Sequence, residues 1–241
     1  MDPKHLVQLS ELEDTYWWHV AKRQMVTKLV EQHFPAPNGL VEGGIGSCRN
    51  LLTFQERGYD VTGFDISEQA VEYGKAKGIE NVAVHDLGQP WPVAEGSQGA
   101  VVLLDVLEHV EDPALVLSHA RKILKPDGGV VFTVPAHPWL FSNWDERLGH
   151  YRRYTTEMLE EQAKAANFKV EWMTYWNAWS LPVAIMMRTV ERMRKQDRVP
   201  EFPHVSPALN RMLLGFAKCE RWWMNKMKVP CGLSLVGVLR K

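Results

Sequence analysis

Between Gly39 and Asp65 the chain reads GLVEGGIGSCRNLLTFQERGYDVTGFD. An apolar run leads into a turn where Gly44 and Gly46 lack side chains, so the backbone can bend sharply and approach a ligand closely. The segment that follows, roughly 47 to 55, predicts a helix whose free N–H groups face the same ligand. Asp65 comes 21 positions after Gly44, at the end of the next apolar run, where a carboxylate can accept two hydrogen bonds from a ribose diol. These residues point to a nucleotide-like ligand. The plainer role for Asp65 is to cap a helix beginning near Ser67. A dinucleotide fingerprint would need a third glycine where Arg49 stands, which weakens a pyrophosphate reading.

Proton chemistry is concentrated further along. The segment PAHPWLFSNWDERLGHYRRYT carries His137, Trp139, Trp144, Asp145, His150, Tyr151 and Arg153. Imidazole titrates near neutrality, so His150 or His137 is a candidate general base for an oxygen or nitrogen nucleophile, and His109 is a third. Each would serve equally well as a structural hydrogen-bonding residue. The two arginines pair with acids such as Asp145 and fix the loop, or they recognise an anionic group. Cys48, at a helix start, is either a thiol activated by its position or a small residue fitted into the turn.

The elements that must position these residues alternate. Strands are expected near 39–43, 60–65, 81–84, 99–104 and 128–134, with helices near 47–57, 67–77 and 112–124 between them, which implies a parallel sheet covered on both faces. Ahead of the sheet, Ser10 and Glu13 form an S-x-x-E capping box that predicts one helix running to about His33, inside an N-terminal cap of residues 1–38. After a loop from Pro135 to Tyr154, a helix near 155–166 leads to a strand near 168–176, and a last strand is expected at Leu233 to Leu239.

Composition bounds the class. With 241 residues, 45% hydrophobic and 24% charged, the chain can bury one large core and reads as a single elaborated domain. A net charge of -1 argues against general nucleic-acid binding. Three cysteines without a C-x-x-C spacing show no zinc site and suit a reducing cytoplasm. No metal is expected, nor any leader or membrane-spanning segment.

From Asn177 onward 12 Lys or Arg stand against 4 Asp or Glu, a local balance of +8. Helical patterns near 178–197 and 207–227 flank the Pro200, Pro203 and Pro207 cluster. This 177–231 insertion is expected over the active-site face. Its methionines and tryptophans either pack the two extra helices or form a pocket for a bulky apolar substrate, a dimer surface, or a basic face that meets anionic lipid at the membrane periphery.

Five blocks in order, from the EGGIG turn through VTGFDIS, VHDLGQPWP, VVLLDVLEHVEDP and LKPDGGVVFTVPA, resemble the class I S-adenosylmethionine-dependent methyltransferases. Gly43 stands where that group has an apolar residue, and Cys48 where it has a glycine. The resemblance implies a doubly wound, mostly parallel sheet of seven strands with an antiparallel last strand, and S-adenosylmethionine as cofactor. It places Gly44 and Gly46 beneath the methionine portion and Glu42 near its amino group. Asp65 falls at the ribose, Ile66 against the adenine, Asp86 and the Leu87 backbone at the exocyclic amine, and Asp105 at the methionine end. EDTYWWHVAKR resembles a helix that covers the cofactor in one methyltransferase group, giving Tyr16 and Trp17 to the sulfonium and Arg23 to the carboxylate, with Trp18 left to the core. The expected partner is a small-molecule acceptor, and the expected state is monomer or homodimer. The alternatives are a module that holds the cofactor without turnover and a nicotinamide-dependent oxidoreductase.

Overall fold

The computed structural model describes residues 3–194 and 204–241. Apolar residues in neighbouring positions along the strands diverge to opposite faces, as the two-residue strand repeat dictates. Leu40, Val102 and Val131 enter one buried cluster and their successors Val41, Leu103 and Phe132 enter another. A sheet buried on both faces is therefore required, and helices supply the covers.

The sheet has seven strands: β1 Gly39–Gly43, β2 Asp60–Asp65, β3 Val82–Val84, β4 Gln98–Leu104, β5 Leu124–Pro135, β6 Lys169–Trp176 and β7 Ser234–Arg240. Their spatial order is β3-β2-β1-β4-β5-β7-β6. The first five are parallel, and β7 runs antiparallel to both β5 and β6. The order reverses between β1 and β4, and the crevice beyond the carboxyl ends of strands at such a switch is where open α/β sheets bind ligands.

The helices are α1 Pro3–Leu12, α2 Trp17–His33, α3 Arg49–Glu56, α4 Glu68–Ala76, α5 Pro113–Ile123, α6 Asn143–Arg147, α7 Thr156–Ala165, α8 Leu181–Arg194 and α9 Pro207–Met224. The expected single N-terminal helix is two, and the Ser10 capping box does not form. Ser10 lies within α1 and donates to the Val7 carbonyl, while Glu13 is buried in the break between the helices against Ser47 and Lys77. A local motif yielded there to a tertiary contact. The 135–154 loop is also more structured than expected: it contains a 3-10 turn Pro138–Leu140 and α6. A capping box does form in α6, between Ser142 and Asp145.

The insertion supplies α8 and α9. Pro207 opens α9, whereas Pro200, Pro203 and the end of the first expected helix lie outside the described residues. Packing explains only part of the methionine and tryptophan content. Met224 is buried, but Met186, Met212, Trp222 and Met227 are exposed. No helix among the described residues is long and apolar enough to cross a membrane.

Candidate active site

A cavity of about 1240 Å³ opens at the switch point between β1 and β4 and runs from the glycine turn to the 137–154 loop. At its base Gly44 and Gly46 have φ of +74° and +50°, the left-handed region that favours glycine. A Cβ on Gly44 would also fall 2.5 Å from a Val106 methyl. The turn is fixed from β2. The Phe64 carbonyl accepts from Gly44 N–H at 2.7 Å, and Asp65 accepts from Gly46 N–H at 3.0 Å and from Ser67 N–H at 2.9 Å. Ser67 itself caps α4. Asp65 thus clasps the turn to the start of α4 and still lines the cavity.

Both departures from the methyltransferase pattern have packing reasons. A side chain at Gly43 would meet Leu103 and Leu87 at 2.9 Å each. Cys48 begins α3 at φ +64°, where glycine is ordinarily easiest, and its thiol donates to the Ala70 carbonyl at 3.3 Å. Burial is the main influence raising this thiol, to about 12, so the small-residue explanation holds and the activated-thiol one does not.

One face of α2 completes the cofactor side. Trp18, His19, Lys22 and Arg23 line the cavity, at the spacing that places residues on one helix face. Tyr16 and Trp17 do not line it. The Trp17 ring packs 5.0 Å from Trp179 of the insertion and its backbone N–H donates to the Asn210 side chain of α9, so the indole that reaches the cavity is Trp18, the one assigned to the core. Arg23 lines the cavity while donating to the Glu13 carbonyl at 2.8 Å. Lys22 meets Asp105 at 2.7 Å, and Thr133 donates to the other Asp105 oxygen at 2.8 Å. Burial works against the Asp105 charge, but Lys22 and Thr133 outweigh it and hold the carboxyl below its ordinary range. Sequence reasoning missed Lys22. Its signal was the i, i+4 step from Trp18, which identifies a face but not what the face covers.

The other end of the cavity is built by the 137–154 loop lying on the 3-10 turn Leu107–His109. Tyr151 N–H donates to the Glu108 carbonyl at 2.7 Å, the Tyr154 hydroxyl to the Leu107 carbonyl at 2.9 Å, and Arg152 to the Glu111 carbonyl at 2.9 Å. This lacing sets the His109 and His150 rings edge to face with centroids 4.6 Å apart. His150 Nδ1 lies 3.1 Å from Asp145, which also accepts from Arg153 at 2.8 Å. Burial disfavours the Asp145 charge, yet His150 and Arg153 keep the carboxyl below its usual range. Burial, together with the neighbouring His150, lowers His109 to about 4. Burial and the Asp105 charge push Glu108 well up. Glu108, His109 and His150 each offer a donor atom within 4.8 Å of the others, a grouping the cysteine-based expectation of no metal did not anticipate.

His137 is elsewhere. It stacks on Tyr175 at 5.2 Å and 6° and is not among the cavity-lining residues, which sets it apart from His109 and His150. The insertion does reach the site: Ala184 and Arg188 of α8 line the cavity, and the Arg188 guanidinium lies 5.3 Å over the Trp144 ring.

The residues fit S-adenosylmethionine. Glu42, near the end of β1, is 1% exposed and lies behind the lining residues rather than among them, and only one of its oxygens has a partner, Asn50 at 3.3 Å. Burial pushes its carboxyl to about 8, and an ammonium group beside it would supply the missing contact. Ile66 is 71% exposed on the cavity wall, a free apolar surface for a flat ring. Asp86 and Leu87 line the same end, with Asp86 holding its own turn through Gly88 N–H at 2.9 Å.

Known proteins resemble the chain in sequence and in fold. The chain is 27% identical over 150 residues to a ubiquinone biosynthesis O-methyltransferase of Idiomarina loihiensis, covering 55% of this chain and 60% of that one. It is 25% identical over 168 residues to a demethylmenaquinone methyltransferase of Tropheryma whipplei, covering 69% and 66%. In both cases the match spans less than two thirds of the relative. In fold it resembles the solved SAM-dependent methyltransferase of Archaeoglobus fulgidus, with a TM-score of 0.59 at 16% identity over 91% of this chain and 94% of that one. The methyltransferase domain pattern matches residues 17–171, from the aromatic helix to β6, so the oxidoreductase alternative falls and the chain belongs to the methyltransferase domain family.

Proposed function

We propose that the protein transfers a methyl group from S-adenosylmethionine to oxygen or nitrogen of a small, apolar or lipid-like acceptor. The observation that carries this reading is that the glycine turn and the His109–His150 pair share one cavity of about 1240 Å³. Small-molecule sites usually run to roughly 300–1,000 Å³, so there is room for a cofactor and a second molecule together. The names of the relatives, concerned with ubiquinone and menaquinone, favour an aromatic acceptor with an apolar tail.

The cofactor supplies an electrophilic methyl on a good leaving group; the protein must orient the acceptor and exclude water, which can contribute on the order of 7–11 kcal/mol. Gly44, Gly46 and Glu42 would hold the methionine portion, with Arg23 near its carboxylate. Asp65 would take the ribose, and Ile66, Asp86 and Leu87 the adenine. At the other end His150, oriented by Asp145, would accept a proton from the acceptor.

Calorimetric titration with S-adenosylmethionine and S-adenosylhomocysteine tests the reading. Micromolar binding of both, followed by labelled methyl transfer to a member of a phenol and amine panel, supports it. Binding of neither sinks it, and binding with no transfer to any acceptor favours a module that holds the cofactor without turnover.

The exposed apolar residues of α8 and α9 support a peripheral contact with anionic lipid. Met186, Val190, Met212 and Trp222 are exposed in the 177–231 insertion, whose net charge is +6, and Lys226 lies 4.1 Å over the Trp222 ring. Co-sedimentation with anionic but not neutral vesicles is the expected result. Equal binding to both kinds, or binding to neither, counts against it.

A further inference from the structure

We propose that Glu108, His109 and His150 bind a divalent cation at the acceptor end of the cavity, and that this cation seats an ionisable oxygen of the acceptor. The proposal rests on the methyl-transfer reading and refines it, because His150 becomes a ligand rather than the proton acceptor.

Three observations converge. One donor atom from each of the three side chains lies within 4.8 Å of the others, so a modest inward adjustment of the side chains would bring all three to ordinary bond lengths of about 2.0–2.2 Å from a single ion. Glu108 is fully buried, and neither carboxylate oxygen has a hydrogen-bond partner, although buried polar atoms are rarely left so. The imidazoles are also presented as ligands. His109 Nδ1 lies 3.3 Å from the Gly149 carbonyl, and His150 Nδ1 lies 3.1 Å from the buried Asp145 carboxylate. Both partners can only accept, so each Nδ1 carries a proton, and Nε2 is the atom that each ring in its neutral form offers a metal. A carbonyl or carboxylate behind the ring is the usual support of a metal-bound histidine.

Two nitrogens and one oxygen suit zinc, manganese or iron better than magnesium or calcium, and three protein ligands leave a position open. All three residues line the cavity, so the open position is available to the acceptor. A phenol or vicinal diol bound there would release its O–H proton to solvent more readily. The O–CH₃ bond then forms as the S–CH₃ bond breaks, and sulfur departs as a neutral thioether.

The test uses the full chain, treated with chelator and dialysed. It is titrated with Zn²⁺ by calorimetry, and with Co²⁺ while the visible spectrum is recorded. One ion per chain is expected, with Co²⁺ bands shifted by imidazole coordination. Affinity should fall at least tenfold in Glu108→Gln and in His109→Gln, and about 10–100-fold in Asp145→Asn, which keeps all three ligands and weakens the support behind His150. Circular dichroism checks folding, and His109→Gln decides if Glu108→Gln does not fold. Absence of stoichiometric binding, or binding undiminished in the folded variants, overturns the site. Parallel titration with S-adenosylmethionine separates the two readings. Cofactor binding without Zn²⁺ binding rejects the cation and returns His150 to the role of base. Zn²⁺ binding without cofactor binding rejects methyl transfer and leaves the cation site standing.

Discussion

Lys22 of α2 and Asp105, just after β4, meet at 2.7 Å in the wall of the cavity, joining α2 to the strand that leads into the 3-10 turn. Their side chains are 13% and 30% exposed, so solvent screens the pair only in part. Lys22→Met leaves the carboxylate without its cation, and a loss of about 1–3 kcal/mol is expected, together with weaker cofactor binding as α2 loosens. Urea unfolding and calorimetry measure the two effects; a variant as stable as the wild type would show that the pair does not hold the helix.

Glu42 gives a dependence on pH. Its carboxyl is raised to about 8 in the fold from an ordinary value near 4.5, so between those limits the folded protein keeps a proton that the unfolded chain releases. Stability from this group is therefore full below about 4.5 and declines as the pH rises towards 8. Glu42→Gln should flatten that decline and raise the melting temperature at pH 8 more than at pH 5. Equal shifts at the two pH values would contradict a protonated Glu42.

Asp65 accepts from both Gly46 and Ser67, so its removal should affect the fold and the site together. Asp65→Ala is expected to lower cofactor affinity at least tenfold and to cost about 1–3 kcal/mol of stability. A folded variant with unchanged affinity in calorimetry would remove Asp65 from the ribose site.

His150→Ala should reduce turnover by about 10²–10⁴-fold and leave cofactor affinity nearly intact, because the ring lies at the acceptor end. A parallel loss of binding would make the histidine structural or cofactor-facing.

Thiol chemistry separates the cysteines. Cys219 and Cys231 are exposed and Cys48 is buried, so an aromatic disulfide reagent should modify two thiols in the native protein and three after denaturation. Rapid labelling of the third in native protein would mean that the α3 start opens readily.

The strands were legible because their apolar runs are bounded by glycines and acids, and because alternating faces of one sheet leave a periodic trace in the sequence. Asp65 and the glycine turn were legible because their chemistry is local. The Glu13 contact with Ser47 and Lys77 was not, since it links residues whose proximity depends on how α2 folds back over the sheet. The choice between Trp17 and Trp18 failed for a similar reason. Both are apolar and adjacent, and only the position of α9 decides which faces the cavity. His137 and His150 looked equivalent within one loop, until Asp145 and the lacing onto Leu107–His109 set His150 apart.

The place of β7 between β5 and β6 bears on how the molecule is made. Both neighbours leave the ribosome before it, and the 57 residues separating β6 from β7 take roughly 3–11 s to synthesise at 5–20 residues per second. Throughout that interval the nascent sheet presents open strand edges, the surfaces on which aggregation begins. The insertion thus has a cost in biosynthesis apart from its place over the cavity, because the edges of β5 and β6 are unpaired until β7 docks between them.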